Sequence, residues 1–254
     1  MKVIFLGTSS GWPLPRLGCK CKICTSKDVK DIRLRPSIIV NGSILIDAPP
    51  DIYTSLKKNN INPSNITDLF ITHAHDDHIM GIFDLSRIYN KNNKIRLLTS
   101  KGIFDKLNKR IRTSLMAFKS EEILPFQKII MGKKEICQLI PVEHGVEAYG
   151  IKIKGAKPLL YAPEFRRILP SSKKELGDID LVIIDGSSKT NLGRADGHET
   201  IQEGIRLGNE INAKKIIFTN IGHITDTHKN LEEFVKKEGG HKFNISYDGM
   251  EINI

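Results

Sequence analysis

The segment from Ile71 to Met80 reads I-T-H-A-H-D-D-H-I-M, so that His73, His75, Asp77 and His78 form the array H-x-H-x-D-H. Side chains able to ligate a metal are rarely packed so densely without an ion to hold. Asp68 to Thr72 reads as a short buried strand, and from Asp77 to Leu85 apolar residues recur at helical spacing. The array therefore lies on a strand-to-helix junction. Alternate residues of an extended stretch face the same way, so His73 and His75 reach one ion together. The turn into the helix swings Asp77 and His78 toward a second position beside it, and a pair of adjacent cation sites is expected.

A second cluster lies near the start of the chain, where Cys19, Cys21 and Cys24 form C-x-C-x2-C. In an intracellular chain such spacing fits tetrahedral thiolate ligation better than disulfide bonding, which predicts a structural zinc clip lacking a local fourth ligand. Cys137 lies inside the apolar run Ile136 to Val142 and reads as a core residue. The turn Gly7-Thr8-Ser9-Ser10-Gly11 follows a strand, yet no Gly-Lys-Ser/Thr closes it and no G-x-G-x-x-G is present. Nucleotide binding of those kinds has no support.

The H-x-H-x-D-H array after a short strand resembles the signature of the metallo-β-lactamase-fold hydrolases. Further matching positions follow in order: P-V-E-H-G gives His144, L-L-Y-A-P-E gives Glu164, and T-N-I-G-H gives His223, each after an apolar run. The resemblance implies one site of His73, His75 and His144, and a second of Asp77, His78 and His223. Where the family has a bridging aspartate at Tyr-x-x-Asp, this chain has Glu164, whose extra methylene requires a backbone shift if it is to bridge. Asp47 matches an aspartate that orients the ligating histidines, and it also reads as a turn-initiating residue before Pro49-Pro50. Asp185 is expected to support the site or cap its loop, with direct ligation as the alternative.

The cysteine triplet is similar to that of the PhnP-like cyclic phosphodiesterase branch, with features shared by PqqB-type proteins. In that branch a histidine three residues after the last active-site histidine completes the clip. Counting from His223, the position is Asp226, with His228 as the chemically more usual partner of thiolates. The branch also places a histidine at a loop-to-helix position facing the bound phosphate. Here this is His198, at the end of the glycine-containing loop from Gly186 to Gly197, for phosphate binding or leaving-group protonation. A helix-entry residue held by a local hydrogen bond is the plainer reading of His198, and a solvated loop arginine that of Arg194.

With 39% hydrophobic residues the chain can bury a substantial core, and its strand and helix signals run from Lys2 to Ile254 without a low-complexity linker. One domain spanning 1–254 is expected, because the implied ligands are spread from position 73 to 223. The class is α/β (α+β), and strands alternating with helices fit the family's four-layer αββα sandwich. Helices are expected near 50–58, 77–90, 100–110, 198–211 and 228–238, and strands include 2–6, 43–47, 68–72, 135–142, 158–162, 179–185 and 215–219. A net charge of +10 favours phosphorylated substrates.

The resulting expectation is a metal-dependent phosphodiesterase of a cyclic or small phosphodiester, using water activated between two divalent ions, Zn2+ or Mn2+, with Asp77 helping to position the nucleophile and one structural Zn2+ in the clip. A nuclease of the tRNA 3'-end type and a non-hydrolytic PqqB-like metal-binding protein are the alternatives. The expected partner is the small substrate. Nucleic acid is less favoured, since lysines are dispersed and aromatic content is 6%. No membrane partner is expected, a homodimer is allowed for, and the location is cytoplasmic, because no apolar stretch approaches the roughly 18 residues a membrane helix needs.

Overall fold

A computed structural model describes residues 1–89, 93–192, 194 and 196–254. Strands β1 (Lys2–Gly7), β2 (Ser37–Val40), β3 (Ile44–Ile46), β4 (Asp68–Phe70), β5 (Arg96–Thr99) and β6 (Lys119–Glu122) belong to a first sheet. Strands β7 (Lys128–Met131), β8 (Glu135–Glu143), β9 (Ala148–Lys154), β10 (Leu159–Ala162), β11 (Arg167–Ile168), β12 (Leu181–Asp185), β13 (Lys215–Thr219) and β14 (Phe243–Ile245) build a second. The last strand, β15 (Glu251–Asn253), returns to the edge of the first sheet beside β1. Among the described residues the sheet orders are β15-β1-β2-β3-β4-β5-β6 and β11-β8-β9-β10-β12-β13-β14, with β7 added to β8.

The strands of the second sheet show why the layers stack as they do. Side chains alternate across a strand, so a strand buried on both faces must be apolar throughout. In β12, Leu181 and Ile183 pack into the core shared with the first sheet, whereas Val182 and Ile184 pack against helices on the other face. β13 repeats the pattern, with Ile217 facing the first sheet and Ile216 and Phe218 the helices. Those helices include α6 (Ile201–Glu210) and α7 (His228–Gly239), while α1 (Ile52–Lys58), α3 (Ile82–Ile88) and α4 (Lys101–Leu115) supply buried residues to the first sheet's core. The four-layer αββα arrangement expected from the sequence is the one observed.

The differences have local causes. The helix expected over 77–90 is broken into α2 (Asp76–Ile79) and α3, and its expected end at residue 90 lies outside the described residues. Gly81 stands at the break because a Cβ there would come within 2.1 Å of the Pro49 carbonyl oxygen. The strand Lys119–Glu122 carries no apolar alternation, being a largely exposed edge strand, and so gave no pattern to read. The helix α5 (Pro170–Leu176) was likewise not anticipated, since its seven residues include only a single buried apolar side chain, Leu176. No helix among the described residues is long and apolar enough to cross a membrane.

The segment between β1 and β2 is held by buried polar contacts rather than by strands. The Arg33 guanidinium is fully buried, donates to Thr8 Oγ1 at 2.9 Å, and lies 3.2 Å from His228 Nδ1 at the start of α7. Burial, and then the Arg33 charge, push His228 from 6.5 down to about 4. The unfolded chain takes up this proton below about 6.5 and the folded chain does not. Stability is therefore full above that pH and falls as pH drops toward 4, by on the order of 3 kcal/mol. Denaturation midpoints between pH 7 and 4.5 are expected to fall less in His228→Gln than in the parent. Comparing the two proteins cancels the opposing contribution of Asp248, which burial raises to about 6.

Candidate metal centre

The candidate side chains emerge at the carboxyl ends of strands. Asp47 follows β3, His73 lies three residues after β4, His144 follows β8, Glu164 lies just beyond β10, and Asp185 is the last residue of β12. An isolated bridge from His73 to Ala148 ties the two sheets together at this rim. The ends of unrelated strands thus supply one cluster.

Donor atoms of His73, His75, His144 and Glu164 lie within 4.8 Å of one another, and so do those of Asp77, His78 and Glu164. Glu164 is shared, and its two oxygens divide the work. Oε2 is 3.1 Å from His73 Nε2, 3.3 Å from His144 Nε2 and 3.8 Å from His75 Nδ1. Oε1 is 3.0 Å from His78 Nε2, with Asp77 Oδ2 3.6 Å from that same nitrogen.

The outer hydrogen bonds set the tautomers. His144 Nδ1 donates to the Gly197 carbonyl at 2.7 Å, which leaves a lone pair on Nε2. Gly197 has φ +79°, and a Cβ there would lie 3.2 Å from that imidazole, so the glycine permits the approach. His78 Nδ1 donates to Asp47 Oδ2 at 2.8 Å. Thr72 Oγ1 donates to the same carboxylate at 2.8 Å, leaving it to accept from His73 Nδ1 at 3.0 Å. The inner nitrogens of His144 and His73 thus face the cluster without a proton. The burial of His78, by contrast, is outweighed by Glu164 and Asp47 on either side, which raise it well above the ordinary histidine value, so that its Nε2 donates to Glu164 Oε1 until a cation displaces that proton.

These contacts test whether a cation fits. Nitrogen lone pairs and a carboxylate facing each other at about 3 Å repel unless a proton or a cation lies among them. His144 Nε2 is buried and has no hydrogen-bond partner, an orphan acceptor aimed at this group. Burial, then His78, lower His73 to about 4, which keeps it a neutral ligand. Burial opposes ionisation of Glu164, but His78 and His73 hold its carboxyl well below the ordinary carboxylate range. Neutral imidazoles beside an ionised carboxylate are the donor set of a divalent transition metal.

The structure does not bring His223 to this group, which corrects the expected second site. β13 ends at Thr219, and the next side chain, Asn220, is the one that reaches Glu164, with Nδ2 donating to Oε1 at 3.1 Å. Ile221 then pairs with Ser9 in the glycine-containing turn after β1, which carries the chain away toward the N-terminal segment. His223 Nδ1 lies 3.7 Å from Cys19 Sγ and 4.0 Å from Cys21 Sγ, and these residues with Cys24 form a separate donor group. The expected fourth clip ligands are corrected as well. Asp226 instead accepts from Asn230 Nδ2 at 2.7 Å and lies 3.3 Å from Lys189 Nζ, and His228 is buried against Arg33. Three thiols and an imidazole fit tetrahedral zinc. His223 Nδ1 can ligate only when Nε2 carries the proton, a tautomer that excludes the 2.7 Å contact from Arg16 to Nε2.

Asn220 is the residue that sequence reasoning missed. Its signal was position: it directly follows the apolar run of β13, as Asp47 follows that of β3.

His198 lies beside the cluster, its ring 5.1 Å from that of His144. It precedes α6, whose start is fixed by a capping box between Thr200 and Glu203, worth about 1 kcal/mol. Asp185 Oδ2 accepts from His198 Nδ1 at 2.7 Å, and Oδ1 accepts from the Ser187 N–H at 2.8 Å, so Asp185 faces the histidine rather than either donor group. Burial opposes the charge on His198, but the Asp185 carboxylate raises it to about 9. Arg194 bonds to Asn191 and Glu203. In the expected loop 186–197, residues 193 and 195 lie outside the described residues.

The fold and these groups define a metallo-β-lactamase-fold protein. Residues 43–221 match the beta-lactamase superfamily domain, and the chain belongs to that superfamily, whose members are mostly metal-dependent hydrolases that bind divalent metals. Within it the fold is of PhnP/PqqB type. A crystal structure of a diphosphatase from the PhnP family superposes with a TM-score of 0.87 at 23% identity, covering 99% of this chain and 96% of that one. Zn(2+)-bound PqqB from Methylobacterium extorquens gives 0.86 at 20% identity, with 100% of both chains covered. The octanoyltransferase of Porphyromonas gingivalis is 23% identical over 270 residues, a match that takes in all of this chain but only 52% of that protein.

Proposed function

We propose that the chain is a phosphoric diester hydrolase acting on a cyclic or small phosphodiester at the cluster of His73, His75, His144 and Glu164. The observation that most supports this reading is His198, paired with Asp185 at 2.7 Å and set with its ring 5.1 Å from that of His144. Divalent ions at these donors would supply Lewis-acid polarisation of the phosphoryl oxygens and would lower the pKa of water. The chain's own residues do the rest. Asp47 and Thr72 orient His78 and His73, while Glu164 and Asp77 contribute negative charge. His198 binds the phosphate or gives its proton to the leaving oxygen, and Asp185 keeps it oriented and charged. The excess of basic residues draws an anionic substrate toward the protein.

The test is a hydrolysis panel run separately with Zn2+ and Mn2+, spanning ribose cyclic phosphates, 2',3'-cyclic nucleotides, linear diesters, thioesters and precursor tRNA. Turnover of the cyclic and small diesters is expected. Cleavage confined to precursor tRNA would instead support the nuclease reading. A metal-loaded protein inert to every substrate would support the PqqB-like alternative, which the neutral Asn220 beside Glu164 also favours.

If His198 works as proposed, His198→Asn is expected to lower kcat on diesters by about 100- to 10,000-fold while metal content stays unchanged. Asp185→Asn, which leaves the imidazole in place, is expected to cost about 10- to 100-fold. Plasma mass spectrometry of the same samples checks the metal. Loss of metal from either variant would contradict these roles.

A further inference from the structure

The two donor groups that share Glu164 are not equivalent. The first offers three imidazoles and a carboxylate oxygen, whereas the second offers only His78, Asp77 and the other oxygen of Glu164. The further side chain that reaches the second group is Asn220. It is fully buried, and its Nδ2 donates to the Glu164 oxygen that also faces His78. Its Oδ1 is buried and has no partner. A buried carboxamide oxygen without a partner costs roughly 1–3 kcal/mol, and turning the amide so that Oδ1 rather than Nδ2 faces Glu164 would give that oxygen a cation beside His78 as its partner.

We infer that the centre is built to hold one ion tightly and a second, harder ion exchangeably, with Asn220 as the residue that makes the second position weak and oxygen-rich. The inference rests on the reading of the first group as a metal site. A carboxamide brings no charge and donates more weakly than imidazole to Zn2+. One nitrogen among oxygen donors suits Mn2+ or Mg2+, while three imidazoles suit Zn2+. The first ion is therefore resident, and the second comes and goes with the concentration of a hard divalent cation.

The experiment counts ions and needs no substrate. Protein loaded with Zn2+ is passed through gel filtration, its zinc is measured by plasma mass spectrometry, and it is then titrated with Mn2+ followed by the paramagnetic resonance of free Mn2+. The parent is expected to keep about two zinc ions, one in the cysteine clip and one at His73, His75 and His144. It should then take up about one Mn2+ with a dissociation constant at least roughly 100-fold weaker than that of the resident zinc. Asn220→His is expected to keep about one zinc ion more and to lose the exchangeable Mn2+ site. Asn220→Ala is expected to keep the parent's zinc and weaken Mn2+ binding about tenfold. If the parent keeps a third zinc ion, or if Asn220→Ala binds Mn2+ as the parent does, the inequality is overturned while the metal site stands. If zinc is found in the clip alone, the reading beneath the inference fails.

Discussion

Replacing His144 with alanine is expected to abolish phosphodiester turnover, by at least about 1,000-fold, with the fold retained. The size of the effect follows from where the ring sits. His144 Nε2 is one of four donor atoms that lie within 4.8 Å of one another, and the Gly197 carbonyl has already fixed its tautomer. Its removal leaves two imidazoles and a shared carboxylate, a set that loses most of its affinity for Zn2+ at neutral pH. The ring lies at a strand end at the rim, not in the apolar core, so stability should fall by no more than about 1–2 kcal/mol. Kinetics on a small diester and thermal melts of the same preparation check both halves. Activity near that of the parent would show that the cluster is not the centre of the chemistry.

Replacing Cys21 with serine is expected to release the clip zinc and lower the melting temperature by on the order of 10 °C. The segment between β1 and β2 contributes few apolar anchors, chiefly Leu14 and Ile23 in the second core, so an ion bridging its thiols to His223 closes the segment onto the chain after β13. That junction lies three residues beyond Asn220, and loosening it should also disturb the second donor group. Turnover should therefore fall more mildly than in the His144 variant, by about tenfold. Scanning calorimetry and zinc content measure the effect. A serine variant with unchanged zinc would dispose of the clip.

The early histidine array and the strand alternation made the architecture legible. A dense cluster of ligating residues leaves few alternatives, and strands such as β12 and β13 are apolar on both faces because both faces are covered. The elements missed were those whose residues do not answer to the core, the exposed edge strand Lys119–Glu122 and the short helix α5. At the site the error was one of register. The family resemblance implies His223 for the active site, but the side chain next to the strand end is Asn220. The turn at Ile221 and Gly222 sends His223 to the cysteines. Counting three residues on from His223 leads to Asp226, with His228 as the alternative, whereas counting three on from Asn220 leads to His223 itself.

The most direct measurement is anomalous diffraction from crystals of the zinc-loaded protein, collected on both sides of the zinc absorption edge. A zinc peak is expected at about 2.0–2.2 Å from His73 Nε2, His75 Nδ1, His144 Nε2 and Glu164 Oε2. If a peak stands at the cysteines and His223 while the position among these four donors shows none, the account is contradicted at its centre.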